Sequence, residues 1–328
     1  MSRSPSKALL DWYAAHGREM PWRVKGGAHG DPYAVWVSEI MLQQTMVKAV
    51  VDYFNRWMKR FPTLESLARA DIHDVLLMWQ GLGYYTRAKK LHECARVLVN
   101  EYGGVFPADR AELLKLPGIG PYTASSICCF AFNQPETVVD GNVIRVLARV
   151  HGLTHAVTKE EIYALAQRLT PRKHGADYAS AIMDLGATIC TPANALCAQC
   201  PWRASCVAYR EGIVDKIPLI QKPEKKTRRG VVYVIRNGAG AYYIRKRPGK
   251  GLLSGLYEFP WIYDGEPPLF SGAPIGQVAH VFTHFRLTLD VVPVQCDAAD
   301  LGGAFVPPAD FKKYPFSTLM KRVMKAIR

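Results

Sequence analysis

The chain has 328 residues, of which 49% are hydrophobic and 21% are charged. This composition is typical of a globular protein, and the length favours two domains. No apolar run approaches the roughly eighteen residues of a membrane span, so we expect a soluble protein with no membrane contact. The 42 Lys and Arg residues outnumber the 28 Asp and Glu residues, giving a formal charge of +14. That excess favours a polyanionic partner, although an ordinary basic protein could carry it too.

Helical patterning dominates the first two thirds of the chain. A carboxyl side chain, Glu39, stands among apolar residues in the segment AVWVSEIMLQQT. Burial in such a setting raises the pKa of a carboxyl group and keeps it protonated near neutral pH. Just beyond it, apolar residues recur at steps of three and four and predict one amphipathic helix: Val47, Val50, Val51, Phe54, Trp57, Met58 and Phe61.

A helix, hairpin and second helix are predicted around the segment LLKLPGIGPYTASS. Asp109 and Glu112 form a capping box for a helix that stops at Pro117, and Pro121 suits the first turn of the next helix. Gly118 and Gly120 make the hairpin between them. Backbone N–H groups at such a helix start can bind a phosphate, but the same glycines could equally form a structural turn.

A second carboxyl group, Asp140, precedes a predicted helix in VVDGNVIRVLARV. A carboxylate at a helix start is favoured in its ionised form, although a plain N-cap explains the residue equally well. Together, Glu39 and Asp140 would supply one neutral acid and one anion. Cleavage of a glycosidic bond needs such a pair, because one group protonates the leaving group and the other stabilises the cationic sugar.

Four cysteines follow in the pattern C-x6-C-x2-C-x5-C: Cys190, Cys197, Cys200 and Cys206. Four cysteines at this spacing can bind one metal centre. Two disulfides fit poorly, because no secretory signal is evident and we expect a reducing location. We expect that location to be the cytoplasm, with the nucleoid as the place of action in a bacterium. Zinc and an iron–sulfur cluster both accept four cysteines. Since a zinc ribbon normally has two C-x2-C pairs and this chain has one, the pattern favours a [4Fe–4S] cluster.

A basic segment with two prolines, residues 216–229, is predicted to be a linker. Beyond it the apolar period changes to two. GVVYVIR and AYYIRKR predict a hairpin around Asn237–Gly240, and HVFTHFRLTLDVVPVQ predicts further strand. A short amphipathic helix over Ser317–Arg328 is predicted to close the domain.

Taken together and in order, these segments resemble the adenine DNA glycosylase family (MutY type) of helix-hairpin-helix glycosylases. The strings REMPWR, SEIMLQQT, GLGYYTRA, LPGIGPYTAS, VVDGN and MDLGATIC carry the resemblance, which covers nearly the whole chain. It implies an all-α glycosylase domain over residues 1–215 with an iron–sulfur loop at 190–206, the linker at 216–229, and a Nudix-like α+β domain over 230–328.

The resemblance also implies an activity: removal of adenine mispaired with 8-oxoguanine or guanine in double-stranded DNA, by a monomer. By position, Glu39 is the acid that protonates adenine, Asp140 is the carboxylate that stabilises the cation, and Asn142 assists. Tyr122 stands where related bifunctional enzymes have a Schiff-base lysine, so we expect base removal without strand cleavage.

Residues that hold DNA are also carried over by position. They are Trp22, Arg23, Gln44, Thr45, Leu82, Gly83, Tyr84, Gly118, Gly120, Ser180, Phe282, Thr283 and His284. Gln44 and Tyr84 are the expected wedges into the duplex. Two residues depart from the family: Ser180 replaces a Gln or Glu near the adenine, and Thr283 replaces a Ser in the loop that reads 8-oxoguanine.

Three other functions remain open at this point. An endonuclease III-like glycosylase and lyase shares the hairpin and the cluster, but Tyr122 and the C-terminal domain oppose it. A Nudix nucleotide hydrolase would need a carboxylate-rich metal-binding segment, and none follows Pro260. A non-catalytic iron–sulfur module that binds damaged DNA would not need Glu39 and Asp140.

Overall fold

The computed structural model of the chain describes residues 4–26, 28–219, 224–248 and 251–327. The chain forms two compact units, and neither is continuous in sequence. The first unit comprises Met1–Arg69 and Lys90–Gln221, and the second comprises Ala70–Lys89 and Lys222–Arg328. The sequence did not predict that residues 70–89 group with the C-terminal part of the chain. No helix among the described residues is both long enough and apolar enough to cross a membrane.

The first unit is helical. Its helices are α1 (Pro5–His16), α2 (Pro32–Leu42), α3 (Val47–Arg60), α4 (Leu64–Ala68), most of α6 (Thr86–Glu101), α7 (Arg110–Leu113), α8 (Pro121–Phe132), α9 (Gly141–His151), α10 (Lys159–Leu169), α11 (Gly175–Thr188) and α12 (Val207–Arg210). The intervening α5 (Ile72–Met78) belongs to the second unit.

Burial follows the sequence pattern of each helix. In α3 the side chains of Val50, Phe54 and Trp57 are buried on one face, which confirms the predicted amphipathic helix. By contrast, α2 and α8 are buried on nearly all sides and pack against each other. A helix that is apolar all round belongs in the middle of a domain. Glu39 is thereby placed inside the unit.

The helix-hairpin-helix is present, with two corrections. Asp109 accepts a hydrogen bond from the backbone N–H of Glu112 at 2.9 Å, as an N-cap does. However, the Glu112 carboxylate pairs with Lys115 at 2.6 Å, so the reciprocal bond of a capping box is replaced. The helix also ends at Leu113, before Pro117. Pro121 occupies the first turn of α8 as predicted.

The second unit is built on a seven-stranded sheet. Its strands are β1 (Lys226–Arg236), β2 (Tyr242–Lys246), β3 (Tyr257–Glu258), β4 (Trp261–Tyr263), β5 (Gly276–Val281), β6 (Phe285–Gln295) and β7 (Gly303–Val306). The order is β3-β2-β1-β6-β5, with β4 also paired to β1 and β7 to β2. The helix α13 (Thr318–Ala326) follows its N-cap Ser317 and confirms the predicted closing helix, apart from Arg328, which lies outside the described residues.

The strand predictions hold in part. The hairpin around Asn237 is confirmed, because β1 and β2 pair antiparallel there. The segment HVFTHFRLTLDVVPVQ is two strands rather than one, because the chain turns at residues 282–284 between β5 and β6. The predicted linker is shorter in the structure. Ile217 is buried in the first unit, and β1 begins at Lys226 because the backbone there pairs in parallel with β6; residues 220–223 of the linker lie outside the described residues.

Specific hydrogen bonds hold residues 70–89 in the second unit. The His73 ring lies 2.8 Å from the carbonyl oxygen of Lys313, and the Gln80 side chain donates to the carbonyl of Phe316 at 3.1 Å. Lys89 donates to the hydroxyl group of Ser254 at 2.7 Å. These contacts explain why a segment between two helices of the first unit belongs to the sheet domain.

Candidate active site

One cavity of about 740 Å³ lies in the first unit, between α2, α8, α9 and α11. Its wall contains many of the site residues predicted from sequence: Trp22, Arg23, Glu39, Gln44, Thr45, Gly118, Gly120, Tyr122, Asp140, Asn142 and Ser180. A concave site with two carboxyl groups and a few other polar groups is the usual form of a catalytic pocket.

Glu39 has the electrostatic setting that the sequence predicted. Its side chain is buried in α2, and burial raises its pKa to about 7, while the hydroxyl groups of Tyr122 and Ser126 and the charge of Arg23 act in the opposite direction. The carboxyl oxygen Oε2 is buried and makes no hydrogen bond to the described residues. A carboxyl group with such a pKa can serve as a general acid near neutral pH.

Tyr122 lies in α8 beside Glu39. Burial raises the pKa of its phenol well above the ordinary value, and the neighbouring Glu39 and Asp140 add to the effect. Tyr122 therefore stays a neutral phenol that can donate a hydrogen bond. It cannot act as an amine nucleophile.

Asp140 is the N-cap of α9, as predicted. Its Oδ1 accepts from the backbone N–H of Val143 at 2.8 Å, and its Oδ2 accepts from Nδ2 of Asn142 at 2.8 Å. Both carboxylate oxygens are thus held in fixed directions. Such preorganisation is what allows a charged group to stabilise an opposite charge that develops during a reaction.

Arg145, which the sequence analysis did not single out, connects Asp140 to the cysteine segment. Its guanidinium group donates to Oδ1 of Asn142 at 2.8 Å, to the carbonyl of Gly186 at 2.7 Å and to the carbonyl of Cys190 at 2.7 Å. A Cβ atom on Gly186 would lie 2.6 Å from Cβ of Asn142, so only glycine lets α11 approach α9 this closely. The sequence signal was an arginine one helical turn after Asn142.

A second group of charges lies at the cavity wall. Arg18 and Arg23 both line the cavity, and both donate to the carboxylate of Asp184, which is completely buried in α11. Ser180, one turn before Asp184, is buried, and its hydroxyl interacts with the phenol of Tyr13. The available signal was Asp184 as the one charged residue of the segment MDLGATIC, and it was missed.

The four cysteines of the C-x6-C-x2-C-x5-C pattern surround one small cavity, together with apolar side chains from α9 and α11. All eight cysteines of the chain are free of disulfide bonds, against the disulfide alternative. Among the described residues, no three His, Cys, Asp or Glu side chains lie close enough together to hold one metal ion directly. Four cysteine ligands are accepted both by zinc and by an iron–sulfur cluster.

Arg149 ties the cysteine loop to α9. It is 2% exposed, and its guanidinium group donates to the carbonyls of Ile217 (2.9 Å) and Thr191 (2.7 Å) and to Sγ of Cys190 (3.4 Å). A buried guanidinium beside the cysteines would balance the negative charge of a thiolate-bound cluster. The donor set and its surroundings therefore fit such a group.

The remaining predicted residues lie in the second unit. Gly83, Tyr84, Phe282, Thr283 and His284 line a separate cavity of about 760 Å³. The Thr283 hydroxyl donates to the Tyr84 hydroxyl at 3.1 Å. Leu82 is buried and lines neither cavity; its carbonyl accepts a hydrogen bond from Arg87.

Gln44 and Tyr84, the two predicted wedges, share an unusual backbone. Their φ angles are +57° and +48°, in the left-handed region that residues other than glycine rarely adopt. Tyr84 is also 44% exposed, which is uncommon for a large aromatic side chain. Such outliers cluster where the chain presents a side chain for binding.

Comparisons with known proteins agree with this geometry. A family model for the HhH-GPD superfamily of base excision DNA repair proteins matches residues 37–172, and a NUDIX domain model matches residues 231–326. The adenine DNA glycosylase of Mus musculus is 34% identical over 97% of this chain and 76% of its own length. The adenine DNA glycosylase of Buchnera aphidicola subsp. Baizongia pistaciae is 32% identical over 88% and 84%, respectively.

The fold also resembles a solved structure. A thermostable thymine-DNA glycosylase superposes with a TM-score of 0.58 and 28% identity, covering 63% of this chain and 95% of that one. The first unit is therefore a helix-hairpin-helix domain of the base excision repair type, and the sheet domain is Nudix-like.

The state of Glu39 can be measured directly. In protein labelled with ¹³C at the glutamate carboxyl carbon, one resonance should titrate with a pKa of about 7 and should be missing from Glu39→Gln. Because the Tyr122 hydroxyl lowers the pKa of Glu39, Tyr122→Phe should raise it. A Glu39 resonance that titrates in the ordinary range of about 4 to 5 would contradict this description of the site.

Proposed function

This chain belongs to the adenine DNA glycosylase family, and from that premise we propose that it hydrolyses the N-glycosidic bond of adenine paired with 8-oxoguanine or guanine in double-stranded DNA. The chain is a DNA glycosylase by its relatives; the choice of mispair is the proposal. The observation that carries the chemistry is the presence of a buried Glu39 and a hydrogen-bonded Asp140 in the wall of one cavity.

Glu39 would act first. An adenine turned out of the duplex into the cavity offers ring nitrogens, and the neutral carboxyl group of Glu39 can donate its proton to one of them. Protonation makes adenine a better leaving group, so the bond from C1′ to N9 breaks and its electron pair stays on the base. The phenol of Tyr122 would hold the Glu39 carboxyl group in place.

Asp140 would act on the sugar. Loss of the base leaves positive charge on C1′ and the ring oxygen, and a carboxylate oriented by Val143 and Asn142 stabilises that charge. Water then adds to C1′ and releases one proton, which leaves a neutral abasic sugar. This division of roles matches the different surroundings of the two carboxyl groups: Glu39 is buried with a raised pKa, and Asp140 is held by hydrogen bonds.

We propose that the enzyme is monofunctional. Strand cleavage by β-elimination needs an amine that forms a Schiff base with C1′. Among the described residues that line the cavity there is no lysine, and Tyr122 is a neutral phenol. An endonuclease III-like lyase is therefore disfavoured. After a single turnover on adenine opposite 8-oxoguanine, the strand should break only on treatment with alkali.

We also propose that Cys190, Cys197, Cys200 and Cys206 hold a [4Fe–4S] cluster. The shared apolar cavity and the buried Arg149 support this assignment. When bound, the cluster would cross-link the loop that follows α11, and no step of the hydrolysis requires it. Through Arg145, the same loop fixes Asn142 and hence Asp140.

Recognition of the opposite base is proposed to belong to the second unit. Its cavity contains hydroxyl and imidazole groups from Thr283, His284 and Tyr84, which can pair with the edge of a purine. The excess of 14 positive charges supports binding to the DNA backbone. We propose that the protein acts as a monomer in the cytoplasm, at the nucleoid in a bacterium.

The acid role of Glu39 predicts a mutational and a pH effect. Glu39→Gln should lower single-turnover base release by about 10² to 10⁴-fold and leave mismatch binding intact, because glutamine keeps the shape but has no acidic proton. Glu39 is protonated below its pKa, so the wild-type rate should be highest below about pH 7 and fall above it. Substantial excision by Glu39→Gln would refute the assignment.

The cluster can be tested by metal analysis. Purified protein should be brown and contain about four iron and about four sulfide per chain. Cys200→Ser should lower the iron content, whereas Cys296→Ser, a matched change outside the loop, should not. A colourless, zinc-loaded and fully active protein would overturn the proposal.

Thr283 predicts a change in discrimination. Thr283→Val keeps the shape but removes the hydroxyl, so the rate on adenine opposite 8-oxoguanine should fall relative to adenine opposite guanine by about 10 to 100-fold. Thr283→Ser is the matched control and should behave like wild type. An unchanged ratio in both Thr283→Val and His284→Ala would mean that 8-oxoguanine is read elsewhere. These substitutions are cleaner than truncation at Arg229, which would also remove the partners of His73 and Gln80.

A further inference from the structure

We propose that Asp184 is a positioning residue for base release: it fixes the guanidinium groups of Arg18 and Arg23 at the wall of the catalytic cavity and balances their charge. This inference rests on the proposed function, because it assigns Asp184 a part in the same reaction. Asp184 itself is not among the residues that line the cavity, so it would act through the two arginines.

Both carboxylate oxygens of Asp184 accept short hydrogen bonds from Arg18 and Arg23. Oδ1 of Asp184 accepts from Nε of Arg18 at 2.8 Å and Nη2 of Arg18 at 2.6 Å, and Oδ2 accepts from the backbone N–H of Arg18 at 2.8 Å. Nη1 of Arg23 lies 3.0 Å from Oδ1 and 2.9 Å from Oδ2. Arg18 thus places two side-chain donors on one oxygen, and one nitrogen of Arg23 is shared between both oxygens. Hydrogen bonds between charged groups of this kind are shorter and stronger than those between neutral groups.

Burial increases from the cavity to the carboxylate. The side chain of Arg18 is 29% exposed, that of Arg23 is 14% exposed and that of Asp184 is not exposed at all. Burial acts to raise the pKa of Asp184, but hydrogen bonds and charge from Arg23 and Arg18 outweigh it and lower the pKa. The carboxylate is thus an anion at neutral pH. It lies on α11, which also contains Ser180 and Gly186.

The charge of Asp184 affects both the sugar cation and the proton of Glu39. Two guanidinium groups next to the cavity would oppose the positive charge that forms on the sugar, and Asp184 cancels one of the two. Arg23 also lowers the pKa of Glu39. Without Asp184, the charge of Arg23 would act on Glu39 with less compensation and would favour loss of the proton that Glu39 must donate.

Three other titratable groups lie near Glu39. Tyr122 and Cys129 approach from α8, and Asp140 approaches from the start of α9. Cys129 has its pKa raised by burial to about 12, and the pKa of Tyr122 is raised well above its ordinary value, so both are neutral near pH 7. The charges that shift the pKa of Glu39 are therefore those of Asp140 and of Arg23, and Arg23 is the one paired with Asp184.

The test is a pH profile of single-turnover adenine release with full-length, cluster-loaded protein. Asp184→Asn keeps the size of the side chain and removes its charge. The fall in rate at high pH should then begin about one pH unit lower than in wild type, because an unbalanced cation close to a carboxyl group lowers its pKa by about 1 to 3 units. Above neutrality this shift alone makes release about tenfold slower. Asp184→Glu, which restores the charge, should recover the wild-type midpoint.

A matched control and an opposite variant make the test specific. Asp177→Asn removes another buried carboxylate of α11 that does not line the cavity, and its profile should match wild type. Arg23→Gln should move the fall to higher pH, because it removes the cation that acts on Glu39. This variant keeps the proposal testable if Asp184→Asn does not fold.

The possible failures are distinguishable. If wild type releases no adenine, the proposed function fails. If wild type releases adenine but the midpoints of Asp184→Asn and Arg23→Gln both equal that of wild type, Asp184 has only a structural role and this inference is wrong. A loss of thermal stability without a shift in midpoint would lead to the same conclusion.

Discussion

Burial of the Glu39 carboxyl group is the constraint on which the rest of the catalytic unit depends. A carboxyl group transferred from water into an apolar helix bundle remains neutral unless it is paired, because the charged form loses its hydration. Two hydroxyl groups on α8 relieve part of that cost but do not remove it, and the pKa stays near 7. The packing of α2 against α8 therefore keeps the Glu39 carboxyl group protonated up to about neutral pH.

The opposite requirement applies to the anions around the same cavity. Asp140 is held by the first turn of α9 and by Asn142, and Arg145 extends that support to the backbone of Gly186 and Cys190. Asp184 lies deeper, where two arginines compensate its burial. The site thus contains charged groups that are each held by hydrogen bonds, Asp140 by the start of its own helix and Asp184 by two arginines from the segment between α1 and α2. Such preorganisation makes electrostatic stabilisation effective in a protein interior, where little reorganisation is needed during the reaction.

The second unit combines two segments that are far apart along the chain. Residues 70–89 lie between helices of the first unit along the chain, yet His73, Gln80 and Lys89 bond to the sheet domain. As a consequence, Tyr84 and Thr283 meet although 199 residues separate them. A chain divided at the basic linker would separate these partners.

The sequence by itself determined the elements with a clear local signal: the amphipathic α3, the caps Asp109 and Asp140, the first hairpin of the sheet and the closing helix α13, because caps and apolar periods act within a few residues. It also predicted the burial of Glu39, since the residues around it are apolar. Only the tertiary structure decided the partners of Asp184, the bridge through Arg145 and the grouping of residues 70–89 with the sheet. Each of these depends on contacts between residues that are distant along the chain, and no local pattern specifies which buried charge will meet which. The strand at Lys226 illustrates the same limit: its basic, exposed residues read as a linker, and only pairing with β6 makes them a strand.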